Sequence, residues 1–282
     1  LPSSPWPTDP GDAAWVDIVT RAADRASVAV AAIPPDERGT EVGRGKGGDT
    51  TLVIDRDAEA AIVAVLEQAH ADGLRFNLIS EELGTRSFDG DGTLVVVDPI
   101  DGSRNARRGL PEFCISIAVS DGPQLSDVRI ALLRHLGTGE TIVAVRGQGV
   151  RVNGMPRTER AYRGLWLAVV EGASPRRLAG AMPHLAHVSR IRSLGSLALS
   201  MAYVALGRLD GLAVLRPGRI VDIAAAALIA AECGGIVVDE DGAPLDAPLT
   251  MEWRGAFSIA RVPEDVADLV AATRGGLEAG RH

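Results

Sequence analysis

Apolar positions in the first quarter of the chain fall at helical spacing. Residues 12–32 contain few breakers and stop short of Pro34-Pro35, which predicts a long helix. A second helix is expected over 57–72, with Ala61, Val65 and Leu66 on one apolar side and Gly73 as its stop. The pattern then changes to short β-branched runs: 76–79, then 93–97, whose continuous apolar character is that of a fully buried strand. Runs at 113–119, 128–133, 141–145 and 149–152 follow, separated by turns such as Gly137-Thr-Gly139 and Asn153-Gly154, and read as a mostly antiparallel meander. Beyond Arg163 strands and helices alternate. Strands are expected at 165–170, 188–191, 211–215, 236–238 and 257–260, and helices at 175–182, 196–206, 222–232 and from Pro263 onward. The fold class is therefore α/β, with an α+β first half (1–155) and an α/β second half (156–282) meeting near 153–164.

Composition narrows the class. The 282 residues are 46% apolar and 23% charged, as in a soluble globular protein, and aromatics make up only 4%. The longest apolar run, 223–231, is too short to cross a bilayer, which takes about 20 residues. The first residues lack the basic and apolar regions of a secretory signal, and Cys114 and Cys233 lie in apolar segments, so buried thiols and a cytoplasmic location are expected. A net charge of −8 argues against broad electrostatic binding of nucleic acid, and no membrane partner is expected.

The chemistry is concentrated where strand 93–97 ends, in Asp98-Pro-Ile-Asp101-Gly102-Ser103. Carboxyl ends of strands are where α/β folds bind ligands. Two carboxylates there suit hard divalent cations, which take oxygen ligands. Gly102 permits close backbone approach, and Ser103 can open a helix, a natural phosphate position. Glu81-Glu82 follows a strand, and Asp222 precedes an alanine-rich helix. Asp101 and Asp222 could equally be helix N-caps, and Glu81-Glu82 a solvated turn. Asp98, at the end of so apolar a strand, must be paired, hydrogen-bonded or metal-bound. The glycines of 43–48 read as a flexible loop, without the preceding strand and following hydroxyl of a nucleotide P-loop. His184-x-x-His187 lacks zincin spacing, and no serine-hydrolase elbow is present.

These blocks resemble the inositol monophosphatase superfamily of magnesium-dependent, lithium-sensitive phosphatases. Asp98-Pro-Ile-Asp101-Gly102-Ser103 is similar to its signature, 49–55 to its upstream acidic loop and 80–84 to its glutamate motif. Residues 192–200 and 207–211 resemble its second-half helix region, and 221–226 its final acidic motif. The resemblance implies a layered αβαβα sugar-phosphatase fold. It implies that Glu81, Asp98 and the Ile100 carbonyl hold one Mg²⁺, and that Asp98, Asp101 and Asp222 hold a second. A third, looser cation would involve Glu81 and the mobile loop carrying Lys46 and Asp49, near Asp55. Gly102 and Ser103 would bind the substrate phosphate. Asp55, Ser103 and Glu81 would be the catalytic groups, with Ser103 paired to Asp55 as a relay that deprotonates the attacking water. Arg192, Ser196 and Arg216, together with Glu171, would lie near the leaving group. A homodimer is implied by the resemblance alone.

The departures bear on substrate. Ser103 replaces the usual threonine and keeps its hydroxyl, and Val221 replaces the tryptophan before the last acidic ligand, as in many prokaryotic and archaeal members. The Gly-Gly-Asp49 loop and Asp222-Ile-Ala-Ala also resemble the archaeal-type enzymes, some of which accept both inositol monophosphate and fructose 1,6-bisphosphate. Leu215 stands where animal inositol enzymes carry a sugar-contacting glutamate. Arg104, Arg107 and Arg108 could receive a second phosphate or could be exposed cations on a short helix. The expected substrate is a small phosphorylated polyol or sugar. A phosphatase for 3′-phosphoadenosine 5′-phosphate or another nucleotide is the alternative, and a catalytically silent ligand-binding relative is the alternative of another class.

Overall fold

The computed structural model describes residues 6–46, 48 and 50–281. Helix α1 (Pro10–Ala32) starts on Asp9, whose side chain accepts the Asp12 N–H at 3.0 Å, and has Pro10 in its first turn, where a missing N–H costs nothing. The 43–48 segment is not the free loop expected. Strand β1 (Glu41–Arg44) pairs antiparallel with β2 (Thr50–Leu52), and Gly43 lies within β1. Helix α2 (Val53–Ala71) begins four residues before the expected start, and so takes Asp55 into its first turn, where its Oδ2 accepts the Leu52 N–H at 2.9 Å. The apolar stripes of α1 (Trp15, Ile18, Val19, Ala22, Ala26) and α2 (Ile54, Ala58, Ile62, Leu66) pack together over one face of a sheet.

That sheet has seven strands in the order β3 (Phe76–Ser80), β4 (Gly84–Asp101), β5 (Cys114–Ser120), β6 (Val128–His135), β7 (Thr141–Val145), β8 (Gly149–Val152) and β9 (Met155–Pro156). β4 is far longer than the 93–97 run, because it turns back on itself around β3. Residues 84–88 run antiparallel to β3, and 94–97 return parallel to it on the other side. The short α3 (Ser103–Arg107) leaves the end of β4. From β5 onward the ladder is the expected antiparallel meander.

Next come β10 (Leu167–Glu171), α4 (Pro175–Ala181), β11 (Arg190–Arg192), α5 (Leu197–Ala205), β12 (Gly211–Val214), β13 (Gly218–Arg219), α6 (Ile220–Glu232), β14 (Ile236–Asp239), β15 (Arg254–Gly255), β16 (Phe257–Ala260) and α7 (Val266–Ala279). Five of these strands form a mixed sheet in the order β11-β10-β12-β16-β14, while β13 and β15 make a separate ribbon. Alanine-rich α5 and α6 lie between the two sheets. They bury Ala198, Ala202, Ala224 and Ala226 against Val96 and Ala131 of one and Val169, Leu212 and Phe257 of the other. α4 and α7 cover the far face, packing Ala181, Leu269 and Ala272 on Ala168 and Ala213. The stack is thus α1–α2, sheet, α5–α6, sheet, α4–α7, an α/β layered sandwich. Small side chains let the middle helices approach both sheets closely. Leu215 is fully buried in the core beside α7, so it faces packing and not a sugar site.

Candidate active site

Carboxylates gather where β3 and β4 end beside the start of α6. Oxygens of Glu81, Asp98 and Asp222 lie within 4.8 Å of one another, the one acidic group among the described residues close enough to hold a metal ion. Asp222 is not the N-cap of α6 but sits inside its first turn, and its Oδ2 accepts the Arg219 N–H at 3.0 Å. Asp98 is 0% exposed, the Ile100 N–H donates to its Oδ1 at 3.0 Å, and its Oδ2 has no hydrogen-bond partner. A bare carboxylate oxygen in the interior is costly unless a cation meets it. The donor set is all oxygen and anionic, which fits a hard divalent ion.

Burial and the neighbouring carboxylates raise the proton affinity of Asp98, Glu81 and Asp55 above the ordinary carboxylate range. Asp98 is driven well up by burial, then by Glu81, Asp101 and Asp222. Burial lifts Glu81 to about 7; the Arg219 guanidinium pulls against it and Asp222 adds to it. Asp55 rises to about 8, mainly through burial, with Glu81 and Glu82 adding to it.

Asp101, which the resemblance joins with Asp98 and Asp222 at a second cation, lies outside the close group of Glu81, Asp98 and Asp222 but near enough to act on Asp98 electrostatically. The Asp101 Oδ2 accepts the Ser196 hydroxyl at 2.5 Å and the Ala198 N–H at 2.7 Å, so it closes the free amino end of α5. Ser196, expected near the leaving group, is fully buried as the N-cap of α5 and serves that junction instead. Burial also brings Asp101 to about 7, with Asp222 adding to it and these donors opposing. Glu171 is likewise interior. It accepts the Leu194 N–H at 2.8 Å and the Ser200 hydroxyl at 2.6 Å, which fixes the turn leading into α5. Arg192 lies exposed on edge strand β11 with a guanidinium N–H on the Ile191 carbonyl, and Arg216 is exposed on the turn after β12. Arg104, Arg107 and Arg108 are also exposed.

Gly102 has φ 91°, a left-handed conformation, and a Cβ there would meet the Glu112 carbonyl oxygen at 2.8 Å. Ser103 opens α3, but no hydrogen bond joins it to Asp55 among the described residues, so the expected relay is not assembled here. Lys46 is exposed and its N–H donates to the Glu82 carbonyl at 3.0 Å, which seats the β1–β2 hairpin beside the cluster. Asp49 lies outside the described residues.

Two residues were missed from sequence. Arg219 ion-pairs with Glu81 and, at 2.9 Å, with Asp222. The signal was its spacing, three residues before Asp222. Asn105, buried in α3, donates to the carbonyls of Glu112 (2.6 Å) and Leu194 (2.7 Å) and thereby binds the Gly102 turn to the α5 turn. Nothing in the sequence marks its second partner, 89 positions away.

Five layers with carboxylates converging at strand ends and a helix start define a layered α/β sandwich with an acidic site. The inositol monophosphatase family profile matches residues 14–274. A fructose-1,6-bisphosphatase/inositol-1-monophosphatase of Methanothermobacter thermautotrophicus is 34% identical over 85% of this chain and 89% of its own length. The Nus factor SuhB of Escherichia coli is 30% identical over 80% of this chain and 85% of its own. A crystal structure titled inositol monophosphatase–fructose 1,6-bisphosphatase superposes with a TM-score of 0.79 at 28% identity, covering 92% of this chain and 99% of that one. The chain belongs to the inositol monophosphatase family, and is a phosphoric monoester hydrolase.

Proposed function

We propose that this enzyme is a Mg²⁺-dependent phosphomonoesterase acting on a small polyol or sugar phosphate, inositol 1-phosphate or fructose 1,6-bisphosphate. The observation that carries the reading is the partnerless, fully buried Oδ2 of Asp98 in a cluster with Glu81 and Asp222. Relatives named for both activities support the substrate class. Glu81, Asp98 and Asp222 would hold the cation, with the Ile100 carbonyl and Asp101 as the further ligands that the family resemblance implies. Such a cation supplies a Lewis acid for the phosphoryl oxygens and lowers the pKa of a water nucleophile.

The chain's own residues do the rest. The left-handed turn at Gly102 leads directly into Ser103, so backbone N–H groups can approach the phosphate without a side chain between them. Asp55, lifted to about 8 by burial in the metal-free chain, would accept a proton from water once a cation beside Glu81 draws it into its ionised form. Asn105 and Asp101 hold the phosphate turn against α5, which limits drift of the bound group. Asp98→Asn should keep the fold and reduce Mg²⁺-dependent phosphate release by more than the 10–100-fold that loss of an outer-sphere partner typically costs. An unchanged rate on both substrates overturns the assignment. A phosphate-release screen over sugar, polyol and nucleotide phosphates, with and without Li⁺, ranks the substrates.

A further inference from the structure

Arg219 touches the same carboxylates that would receive the cation. Its side chain is only 21% exposed, with Nη1 on Glu81 Oε1 and Nη2 on Asp222 Oδ1 at 2.9 Å. Nε also reaches Asp222 Oδ1, at 3.1 Å. Two of the three clustered carboxylates thus already share a fixed positive charge. A guanidinium cannot lose its proton to make way, because arginine stays charged at any physiological pH. A divalent ion arriving on Glu81 and Asp222 would therefore meet a like charge at close range in a partly desolvated site, where screening is weak. The only accommodation is movement of the guanidinium. The side chain is long enough to swing, while the Arg219 backbone N–H keeps its own bond to Asp222.

We propose that Arg219 is a resident counter-cation, and that a divalent ion enters this site by exchange with it, the guanidinium leaving Glu81 as the ion binds. The exchange rests on the reading of Glu81, Asp98 and Asp222 as a cation site. It makes Arg219 the residue that weakens metal binding while keeping the metal-free cluster from flying apart.

The test is calorimetric titration of the full chain with MgCl₂, without substrate, beside Arg219→Gln and Arg219→Lys. Removing the charge should tighten Mg²⁺ binding by about tenfold or more, and lysine should restore much of the weakness. Binding that is unchanged or weaker in Arg219→Gln, or as tight in Arg219→Lys as in Arg219→Gln, overturns the exchange alone. No Mg²⁺ binding to any of the three overturns the cation-site reading and the exchange together. NMR of the arginine Nε–H resonances in the unmutated protein gives a readout independent of any variant's folding. Mg²⁺ should shift the Arg219 signal away from its ion-paired position, and a signal that stays put while Mg²⁺ binds overturns the exchange.

Discussion

At Asp98 one oxygen is satisfied by a backbone N–H and the other by nothing, while Glu81, Asp101 and Asp222 press on it electrostatically. Folding therefore raises the proton affinity of this group, and that of Glu81, Asp101 and Asp55, to about 7–8 for the last three. In the unfolded chain each returns to the ordinary carboxylate value near 4. Between those limits the folded state holds more protons than the unfolded one, so stability falls as pH rises. The contribution is fully present below about pH 4 and is lost as pH climbs through about 8. Denaturant midpoints measured in chelator should accordingly drop from pH 5 to 8.5, and drop less in Asp98→Asn. A midpoint that rises across this window contradicts the sign. Gly102 makes a second prediction at the same scale. Alanine there must hold a left-handed backbone, at about 1–2 kcal/mol, with its Cβ 2.8 Å from the Glu112 oxygen. Gly102→Ala should lower the melting temperature and raise KM for the phosphate substrate, and a variant with neither change would show that the turn relaxes freely.

Elements carry the site by their ends. β4 ends in Asp98 and Asp101, α6 begins around Asp222, and α5 begins under Asp101. α3 is too short to be stable alone, and Asn105 holds it to two carbonyls on different loops. Asn105→Ala leaves both carbonyls without that donor and should cost about 1–3 kcal/mol, read as a lowered denaturant midpoint with an unchanged m-value. Most elements are legible in the sequence because their signals are local. The meander shows β-branched runs between glycine turns, and α1 shows as a run with few breakers ahead of Pro34-Pro35. The exceptions have physical reasons. α2 starts early because Asp55 satisfies the Leu52 N–H from within the helix, so the visible acid at Asp57 marks no boundary. The first arm of β4 is hidden because it is polar and exists only by pairing with β3.

Across the whole molecule the αβαβα order follows from two sheets that each need both faces covered, with two alanine-rich helices serving as a shared filling. Glu81, Asp98 and Asp222 stand out in the sequence as acids at chain reversals, and only the family resemblance joins them as ligands. Their meeting with Arg219 does not show there, since Arg219 and Glu81 are 138 positions apart and only the stacking of layers joins them. A ligand that binds only the folded state stabilises it by mass action. Saturating Mg²⁺ at pH 8 should therefore raise the melting temperature more than at pH 5, where protons occupy the same oxygens. An equal rise at both pH values would place the bound ion elsewhere. The junction of Asp101 with Ser196 and Ala198 has a temporal meaning as well. Glu81, Asp98 and Asp101 leave the ribosome long before Ser196 and Asp222 exist. A nascent chain halted before α5 has three of these acids in hand and neither the clasp nor the third member of the cluster, so a cation site built on Glu81, Asp98 and Asp222 would be complete only once synthesis has reached α6.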